Sequence, residues 1–322
     1  MRIHVPYISD QNIGGGYTFH DNFVKAITDK YPDIQFVPEN EDHDILFAFS
    51  CTTVNGETIE RSKKKGAKFV LRMDGVPEDN RNSGRGTRRL IEYALQADHI
   101  VYQSEFVLNT VGKILQNNGV EAPRSIIQNG VDTDVFTPEG EKIGIKGSPK
   151  ILHIAYRKDP NKRYEEVVAM YREYFMNNRE ANLVLLGRYP TEWMTYNMGF
   201  FNGERHQRLG IITDRKTKAM MIRSCDLMFY PSFADPAPNV VLEALSCGVP
   251  VLFNGYGGAM EMIRPKDMQP GGLPIDYNFP FTKQIEAILS NRDAYSLNAR
   301  QIALEHSLGM MAIKYRQTFE TL

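Results

Sequence analysis

The sequence has little cysteine, a single tryptophan, almost no net charge and no long apolar run. Its cysteines, Cys51, Cys225 and Cys247, are isolated and odd in number, which excludes a disulfide framework and fits reduced thiols. No pair of Cys or His has the short spacing of a zinc site, so we predict no metal centre. A formal net charge of -1 gives no overall attraction to nucleic acid, and we expect no such partner.

The sequence also shows neither the apolar run of a membrane-spanning segment nor the pattern of a secretory signal. No apolar run approaches the ~18 residues that a membrane span needs. The opening residues, MRIHVPYISD, alternate like a strand and lack the apolar core of a secretory signal. We therefore expect a cytoplasmic protein. The basic run RSKKKGAK at Arg61–Lys68 is interpreted as a solvated helix end. The alternative is that this run contacts an anionic acceptor molecule or the surface of a membrane, which would make the protein a peripheral membrane protein.

Short apolar runs alternate with helical patterns along most of the chain. The predicted strands are Arg2–Tyr7, Ile45–Phe49, Lys68–Met73, His99–Gln103, Ser125–Gln128, Ile151–Tyr156, Leu183–Gly187, Asp226–Tyr230 and Pro250–Asn254. Predicted helices include Tyr17–Lys30, Thr87–Gln96, Glu105–Asn117, Tyr164–Asn177, Lys216–Ser224 and Val240–Cys247. Strands separated by helices of this length predict parallel βαβ units and an α/β fold.

A polar stretch rich in Gly and Pro, TPEGEKIGIKGSP at Thr137–Pro149, interrupts this rhythm before it restarts with KILHIAY. Such composition is typical of a linker between domains. We predict an N-terminal domain at 1–145, a C-terminal domain at 146–305 and a closing helix at 306–322.

The first strand is followed by a glycine-rich loop, IGGGYTF at Ile13–Phe19. Gly15 and Gly16 have no side chains, so their backbone N–H groups can approach an anion at a helix N-terminus. The alternative is a tight turn between strand and helix. A dinucleotide-binding fingerprint fits less well, because the bulky Phe19 stands at its third glycine. Asp42-His43-Asp44 precedes an apolar strand, and we interpret it as a loop and not as a metal site.

The segment SFADPAPNVVLEALSCGVPV carries the strongest functional pattern. Its prolines exclude a helix up to Asn239, which is then expected as an N-cap. A free helix N-terminus at the carboxyl edge of a parallel sheet favours phosphate, held by the amides of Asn239 and Val240. Glu243, inside the helix, can accept hydrogen bonds from ribose hydroxyls. Alternatively, Glu243 is a buried acid satisfied by neighbouring amides.

Two further segments belong to the same half of the chain. AYRKDPNKR places Arg157 and Lys162 after a strand, where two cations can neutralise a diphosphate leaving group. Solvated loop charges are the alternative. NGYGGAME is a second glycine-rich turn, in which small residues such as Gly258 leave space for a sugar.

Together these segments resemble the retaining glycosyltransferases of family 4, which have the GT-B fold. The resemblance is carried by IIQNGVDTDVFTP, by Arg157 and Lys162, and by YPSFADPAPNVVLEALSCGVPV with GGAME after it. It covers most of the chain, including HSLGMMAIKYRQTF, which looks like a closing helix that returns to the first domain. It implies two Rossmann-like domains facing each other across a cleft, with the acceptor on the N-terminal side.

The resemblance also implies roles for individual residues. Arg157 and Lys162 would bind the diphosphate, Glu243 the ribose, and Asp235 would face the donor sugar. The chain departs from the family at Asp235, where Glu is usual. It departs again in VLRMDGVPEDNR, where Arg72 and Asp74 lie near the position of a usual His. Asp74 is therefore either a catalytic candidate or the turn residue of an Asp-Gly pair.

A cluster of arginines in the first domain, which includes Arg81 and Arg85, favours an anionic acceptor such as a lipid-linked phosphate. A solvated basic helix is the alternative. The predicted activity is metal-independent transfer, with retention, from a nucleotide-diphosphate sugar to a hydroxyl of a glycan or lipid-linked acceptor. No other cofactor is expected. A sugar-nucleotide epimerase of the same two-domain plan and a non-catalytic sugar-nucleotide-binding protein are the alternatives.

Overall fold

The described part of the chain, in a computed structural model, comprises residues 1–7, 14–73, 75, 85–156, 159–189 and 206–322. Three predicted site residues, Asp74, Arg81 and Arg157, lie outside these ranges. For Arg85 the description covers the backbone only. The chain divides into two units. The first contains Met1–Gly130 and Leu308–Leu322, and the second contains Val131–Ser307.

The first unit is built around a parallel sheet. Its strands, in spatial order, are Gln35–Phe36, Arg2–His4, Ile45–Ala48, Lys68–Met73, His99–Tyr102 and Arg124–Ile126. The helical segments are Gly15–Lys30, Gly56–Lys64, Arg85–Ala94, Glu105–Val107, the π-helical Leu108–Gly112, Lys113–Asn117 and Leu308–Glu320. The central strands are continuous apolar runs because helices cover both faces of a parallel sheet.

Aromatic rings fill one face of this first sheet. Phe23 and Phe47 pack with their ring centroids 4.7 Å apart. Tyr315 arrives from the last helix, Leu308–Glu320, and lies 5.0 Å from Phe23 and 5.3 Å from Phe47. The C-terminal helix therefore supplies part of the core of the first unit.

The second unit repeats the plan with its own parallel sheet. Its strands, in spatial order, are Gly272–Pro274, Val251–Phe253, Leu227–Tyr230, Lys150–Ala155, Asn182–Gly187 and His206–Gly210. The helices are the 3-10 turn Pro160–Lys162, Tyr164–Asn177, Arg215–Arg223, Asn239–Ser246, Ala259–Ile263, Phe281–Ser290 and Arg292–Glu305. In the described ranges, the order of the strands reverses beside Lys150–Ala155, the point at which α/β sheets bind ligands.

The predicted linker is not a connection between units. Residues 131–149 belong to the second unit, whose division from the first falls at Gly130–Val131 and not at 145/146. The amide of Ile143 donates to Ser224 Oγ at 2.7 Å, and Ile145 is buried. Polar composition marked this stretch as a linker, but a few apolar residues are enough to attach it to the second unit.

Three strands of the structure were not predicted: Gln35–Phe36, His206–Gly210 and Gly272–Pro274. Each lies at an edge of its sheet. Within the described residues, no helix combines the length and the apolar character that crossing a membrane requires.

Candidate active site

Three turns meet at the carboxyl edge of the second sheet, where neighbouring strands end. They follow Lys150–Ala155, Leu227–Tyr230 and Val251–Phe253. The amide of Phe233 donates to the carbonyl of Asn161 at 2.8 Å, and the amide of Ala234 donates to the carbonyl of Tyr256 at 2.9 Å. Backbone hydrogen bonds thus fix the middle turn to the turns on both sides of it.

Asp235 lies in the middle turn and joins it to Lys162. The Lys162 Nζ atom donates to Asp235 Oδ2 at 2.7 Å. The phenol of Tyr230, at the end of the preceding strand, donates to the same oxygen at 2.6 Å. The amide of Ala237 also donates to the Asp235 carboxylate. The carboxylate therefore receives donors from two turns and one strand.

These contacts set the charge of Asp235. Burial acts to raise the pKa of its carboxyl, but the charge of Lys162 and the hydrogen bonds from Lys162, Tyr230 and Ala237 outweigh burial and lower the pKa. Burial, followed by the nearby charge of Asp235, raises the pKa of the Tyr230 phenol well above its ordinary value. At neutral pH Asp235 is an ionised acceptor and Tyr230 is a neutral donor.

Gly257 holds this arrangement from the third turn. Its φ is +140°, and a Cβ atom would lie 2.9 Å from the carbonyl oxygen of Asp235, closer than real Cβ atoms approach. The amide of the predicted donor-binding residue Gly258 donates to that carbonyl at 2.8 Å. Gly258 therefore supports the Asp235 turn with its backbone. Ala234 has a φ of 53°, the left-handed conformation that lets the turn reverse before Asp235.

The turn that carries Lys162 is braced from several sides. The Asp159 carboxylate accepts from the amide of Asn161 at 3.0 Å. Arg163, in the left-handed conformation with a φ of 49°, donates to Glu166 at 2.6 Å. Tyr277 donates to the same Glu166 carboxylate at 2.9 Å. Lys162 is thus presented from a turn that hydrogen bonds hold in place.

The helix Asn239–Ser246 begins beside the Asp235 turn. Asn239 is its first residue, and the predicted N-cap role is wrong: the cap position is occupied by Pro238, with an extended ψ of 111° and no side-chain hydrogen bond. The helix therefore begins at Asn239, one residue earlier than the capping pattern suggested, and Pro238 takes the cap position. Asn239 and Val240 lie in the first turn, where helix amides point toward the N-terminus.

Glu243 lies inside this helix and is buried, with 5% exposure. Its partner is Lys218, from the helix Arg215–Arg223, with Lys218 Nζ 2.5 Å from Glu243 Oε2. The two charges touch without the alignment of a hydrogen bond, so within the described residues Oε2 retains its capacity to accept one. The Lys218 ammonium also lies 5.1 Å from the ring of Tyr156. Sequence reasoning missed Lys218, whose pattern RKTKAMMIR is typical of a solvated helix start.

The remaining predicted residues lie in the first unit. Gly15 and Gly16 are exposed and open the helix Gly15–Lys30. Arg72 is 2% exposed, stacks on the Phe19 ring at 3.7 Å and donates to Gln103 at 2.5 Å. Arg72 therefore lies in the core of the first unit. Its expected role beside an acceptor needs an accessible side chain, and in this structure the Arg72 side chain is buried.

The basic run Arg61–Lys68 and the loop Asp42-His43-Asp44 form ion pairs and hydrogen bonds within the first unit. The ion pairs are Arg61 with Glu39, Lys63 with Asp98, Lys64 with Glu60 and Lys65 with Asp42. His43 contacts Ser62 Oγ at 2.9 Å. In the ranges that the structure describes, no group of three or more His, Cys, Asp or Glu residues could hold a metal ion.

The profile of the family "Glycosyl transferases group 1" matches residues 136–303, more than half of the chain. N-acetyl-alpha-D-glucosaminyl L-malate synthase of Bacillus anthracis is 27% identical over 208 residues, which are 62% of this chain and 53% of that protein. A probable sucrose-phosphate synthase of Thermosipho melanesiensis is 24% identical over 144 residues, 43% of this chain and 34% of that protein. The chain thus spans about half or less of the curated relatives it matches.

Solved structures share the fold. HepE of Anabaena, in complex with UDP and glucose, superposes with a TM-score of 0.77 at 15% identity, covering 100% of this chain and 99% of that chain. Sucrose-phosphate synthase of Thermosynechococcus elongatus also has a TM-score of 0.77 at 15% identity, with coverage of 100% and 99%. The predicted GT-B fold, with two parallel-sheet α/β domains, is confirmed. The chain belongs to the glycosyl transferases group 1 family.

Proposed function

We propose that the chain is a retaining glycosyltransferase of family 4 that moves a sugar from a nucleotide-diphosphate sugar to a hydroxyl of a glycan or lipid-linked acceptor, without a required metal. One observation carries the proposal. The Lys162–Asp235 pair lies in the turns that surround the N-terminal end of the helix Asn239–Ser246, at the carboxyl edge of the second sheet. This edge is where α/β folds hold phosphorylated ligands.

Positive charge is what the leaving diphosphate needs. The ammonium of Lys162 has three N–H donors, and one of them bonds to Asp235. In the described part of the chain the others are left for phosphate oxygens. The helix amides at Asn239 and Val240 add the positive end of a helix dipole. Arg157, placed by the sequence just before the same turn, is proposed as a second cation. These groups stabilise charge where it develops in the transition state.

Asp235 is suited to orienting the sugar and not to attacking it. A carboxylate that accepts bonds from Lys162, Tyr230 and Ala237 has its charge dispersed and its pKa lowered, which makes it a weak base and a weak nucleophile. Its negative charge favours the positive charge that grows on the sugar ring. The proton of the acceptor hydroxyl then passes to an oxygen of the leaving phosphate on the same face, which gives retention.

The proposed place of the ribose is Glu243. Its Oε2 atom touches Lys218 but accepts no hydrogen bond within the described residues. Asp235 and Glu243 stand before and inside the same helix, as they do in the family that the chain resembles.

The donor to test first is UDP-glucose, because structures of HepE contain UDP-glucose or UDP with glucose. Thermal unfolding should be measured with a panel of nucleoside diphosphates and their sugars. A bound donor raises the midpoint by linkage, and we expect the rise with one base and not with the others. The donor that raises the midpoint is then incubated with candidate acceptors, and the anomeric configuration of the product is read by NMR.

Each result of this panel has a distinct meaning. A product with the anomeric configuration of the donor supports the proposal, and inversion contradicts retention. Conversion of the donor to an isomer without an acceptor identifies an epimerase. Tight binding with neither transfer nor hydrolysis identifies a binding protein.

A further inference from the structure

Tyr230 is the last residue of the strand Leu227–Tyr230 and is fully buried. Its backbone carbonyl accepts from the amide of Asn254, so the neighbouring strand fixes its main chain. Its phenol reaches across the following turn and donates to Asp235 Oδ2 at 2.6 Å. A side chain that sequence patterns place among apolar core residues thus ends at the proposed site.

Tyr230 donates to one member of the ion pair, and its ring lies near the other. Lys162 Nζ donates to the same Asp235 oxygen at 2.7 Å and lies 5.7 Å from the centre of the Tyr230 ring. A hydroxyl donor and an ammonium donor therefore converge on one carboxylate oxygen. The position of that oxygen is defined by a strand on one side and by a turn on the other.

The charged groups around the pair come from several elements. Lys162 and Asp159 lie in the turn after Lys150–Ala155. Burial raises the pKa of Tyr230 most, the charge of Asp235 comes next, and the negative charge of Asp159 adds a smaller rise. The nearby Ser232 hydroxyl acts in the opposite direction and lowers the pKa of the phenol. The phenol stays protonated, so toward Asp235 it acts as a donor.

We infer that Tyr230 is a positioning residue, which keeps the Asp235 carboxylate oriented toward the donor sugar while Lys162 shares its N–H donors with the diphosphate. This inference rests on the proposed function. When Lys162 also donates to a diphosphate, its hydrogen bond and ionic attraction to Asp235 weaken. The hydrogen bond from Tyr230 comes from a rigid strand and is independent of that exchange.

The test compares Tyr230→Phe with Tyr171→Phe. Tyr171 is a matched control, because it is equally buried in the second unit and donates to the carbonyl of Ala181 at 2.8 Å, in a different part of that unit. For Tyr230→Phe we expect kcat to fall about 10- to 100-fold, as for loss of a hydrogen bond to a charged group, with little change in donor KM. Without one donor the pKa of Asp235 rises, so the acid limb of kcat should move to higher pH.

Tyr171→Phe should leave both kcat and the acid limb close to those of the unchanged protein. Equal losses in the two variants, with the acid limb unmoved, would show that the Tyr230 hydroxyl is structural and would overturn the inference.

Asp235→Asn provides a second measurement that does not depend on how Tyr230→Phe folds in the unaltered background. In the Asp235→Asn protein, adding Tyr230→Phe should reduce kcat by less than threefold, because the carboxylate that the phenol serves is gone. Fully additive losses would contradict the inference. Failure of the unchanged protein to transfer or hydrolyse any sugar nucleotide would instead remove the proposed function itself, and the two failures are thereby distinguished.

Discussion

Lys162 and Asp235 form one ion-paired unit, because each neutralises the other in a partly buried place. The side chains are 21% and 20% exposed, and their contact is 2.7 Å. Under the proposed function, a change at either residue therefore alters both the charge offered to a phosphate and the carboxylate offered to a sugar.

We predict that Lys162→Ala lowers the rate of transfer by about two orders of magnitude, the loss seen when a donor to a developing anion is removed. Arg157→Ala is expected to have an effect of the same size. Steady-state rates with the whole donor give the measurement. Lys283→Ala is the control, because Lys283 is exposed and pairs with Glu286 on a surface helix. Normal turnover in Lys162→Ala would contradict its assignment to the diphosphate.

A second residue-scale prediction concerns Glu243. Glu243→Gln replaces one acceptor oxygen by a donor amide, so one contact with a ribose hydroxyl becomes mismatched. The expected loss of nucleoside-diphosphate affinity is about 1–3 kcal/mol, or ten- to hundredfold, measured by calorimetry. Glu286→Gln, on the exposed helix Phe281–Ser290, is the control. Unchanged affinity would mean that Glu243 serves only as the partner of Lys218.

Sequence patterns could predict part of this site and not the rest. Lys162 and Asp235 stand in turns, and Glu243 lies inside a short apolar helix, and at such places a charged residue has no simple core role. Tyr230 ends the apolar run LMFY and has the pattern of a core residue. Lys218 stands among other cations and has the pattern of a surface lysine. Their roles come from contacts with residues distant in the sequence, and no local pattern records those contacts.

Between the helices Arg215–Arg223 and Asn239–Ser246, the Lys218–Glu243 pair is a buried contact between charged side chains. The neighbouring residues Ala219, Ile222 and Ala244 are fully buried. A buried ion pair of this kind adds little net stability, but removal of one partner leaves an uncompensated charge.

We therefore predict that Lys218→Met destabilises the protein by about 3–5 kcal/mol, measured by urea denaturation. The double variant Lys218→Met with Glu243→Leu should recover most of that loss, because no buried charge is left. Lys216→Met, on the same helix, is the matched control for losing a lysine. A double variant that is no more stable than Lys218→Met would show that shape and not charge dominates this interface.

Strands with both faces buried were all predictable, and the three strands that were missed lie at sheet edges, although the edge strand Arg124–Ile126 was predicted. ILFA, LVLLG and LMFY are apolar without interruption because helices cover both sides of them. Gly272–Pro274 reads GLP, and His206–Gly210 reads HQRLG with no fully buried residue. Such edge strands depend on pairing with a neighbour, which composition does not reveal.

At the scale of the whole molecule, the proposed chemistry draws its positive charge from protein groups. Lys162, Arg157 and the N-terminus of the helix Asn239–Ser246 take the place that a divalent cation has in other transferases. We predict that transfer is unchanged, within about twofold, in the presence of EDTA. Activity lost with the chelator and restored by magnesium or manganese would contradict this. Lys162→Ala, assayed with and without added metal, then tests whether an ion can substitute for the ammonium.

The first unit is not continuous in the chain, since Leu308–Leu322 packs with Met1–Gly130 after the whole of Val131–Ser307 has intervened. This has a consequence for synthesis on the ribosome. At 5–20 residues per second, roughly ten to forty seconds separate the release of Gly130 from that of Tyr315. Throughout that interval Phe23 and Phe47 lack the ring that completes their cluster. All residues of the second unit are available earlier, so the domain that is begun first is the one completed last.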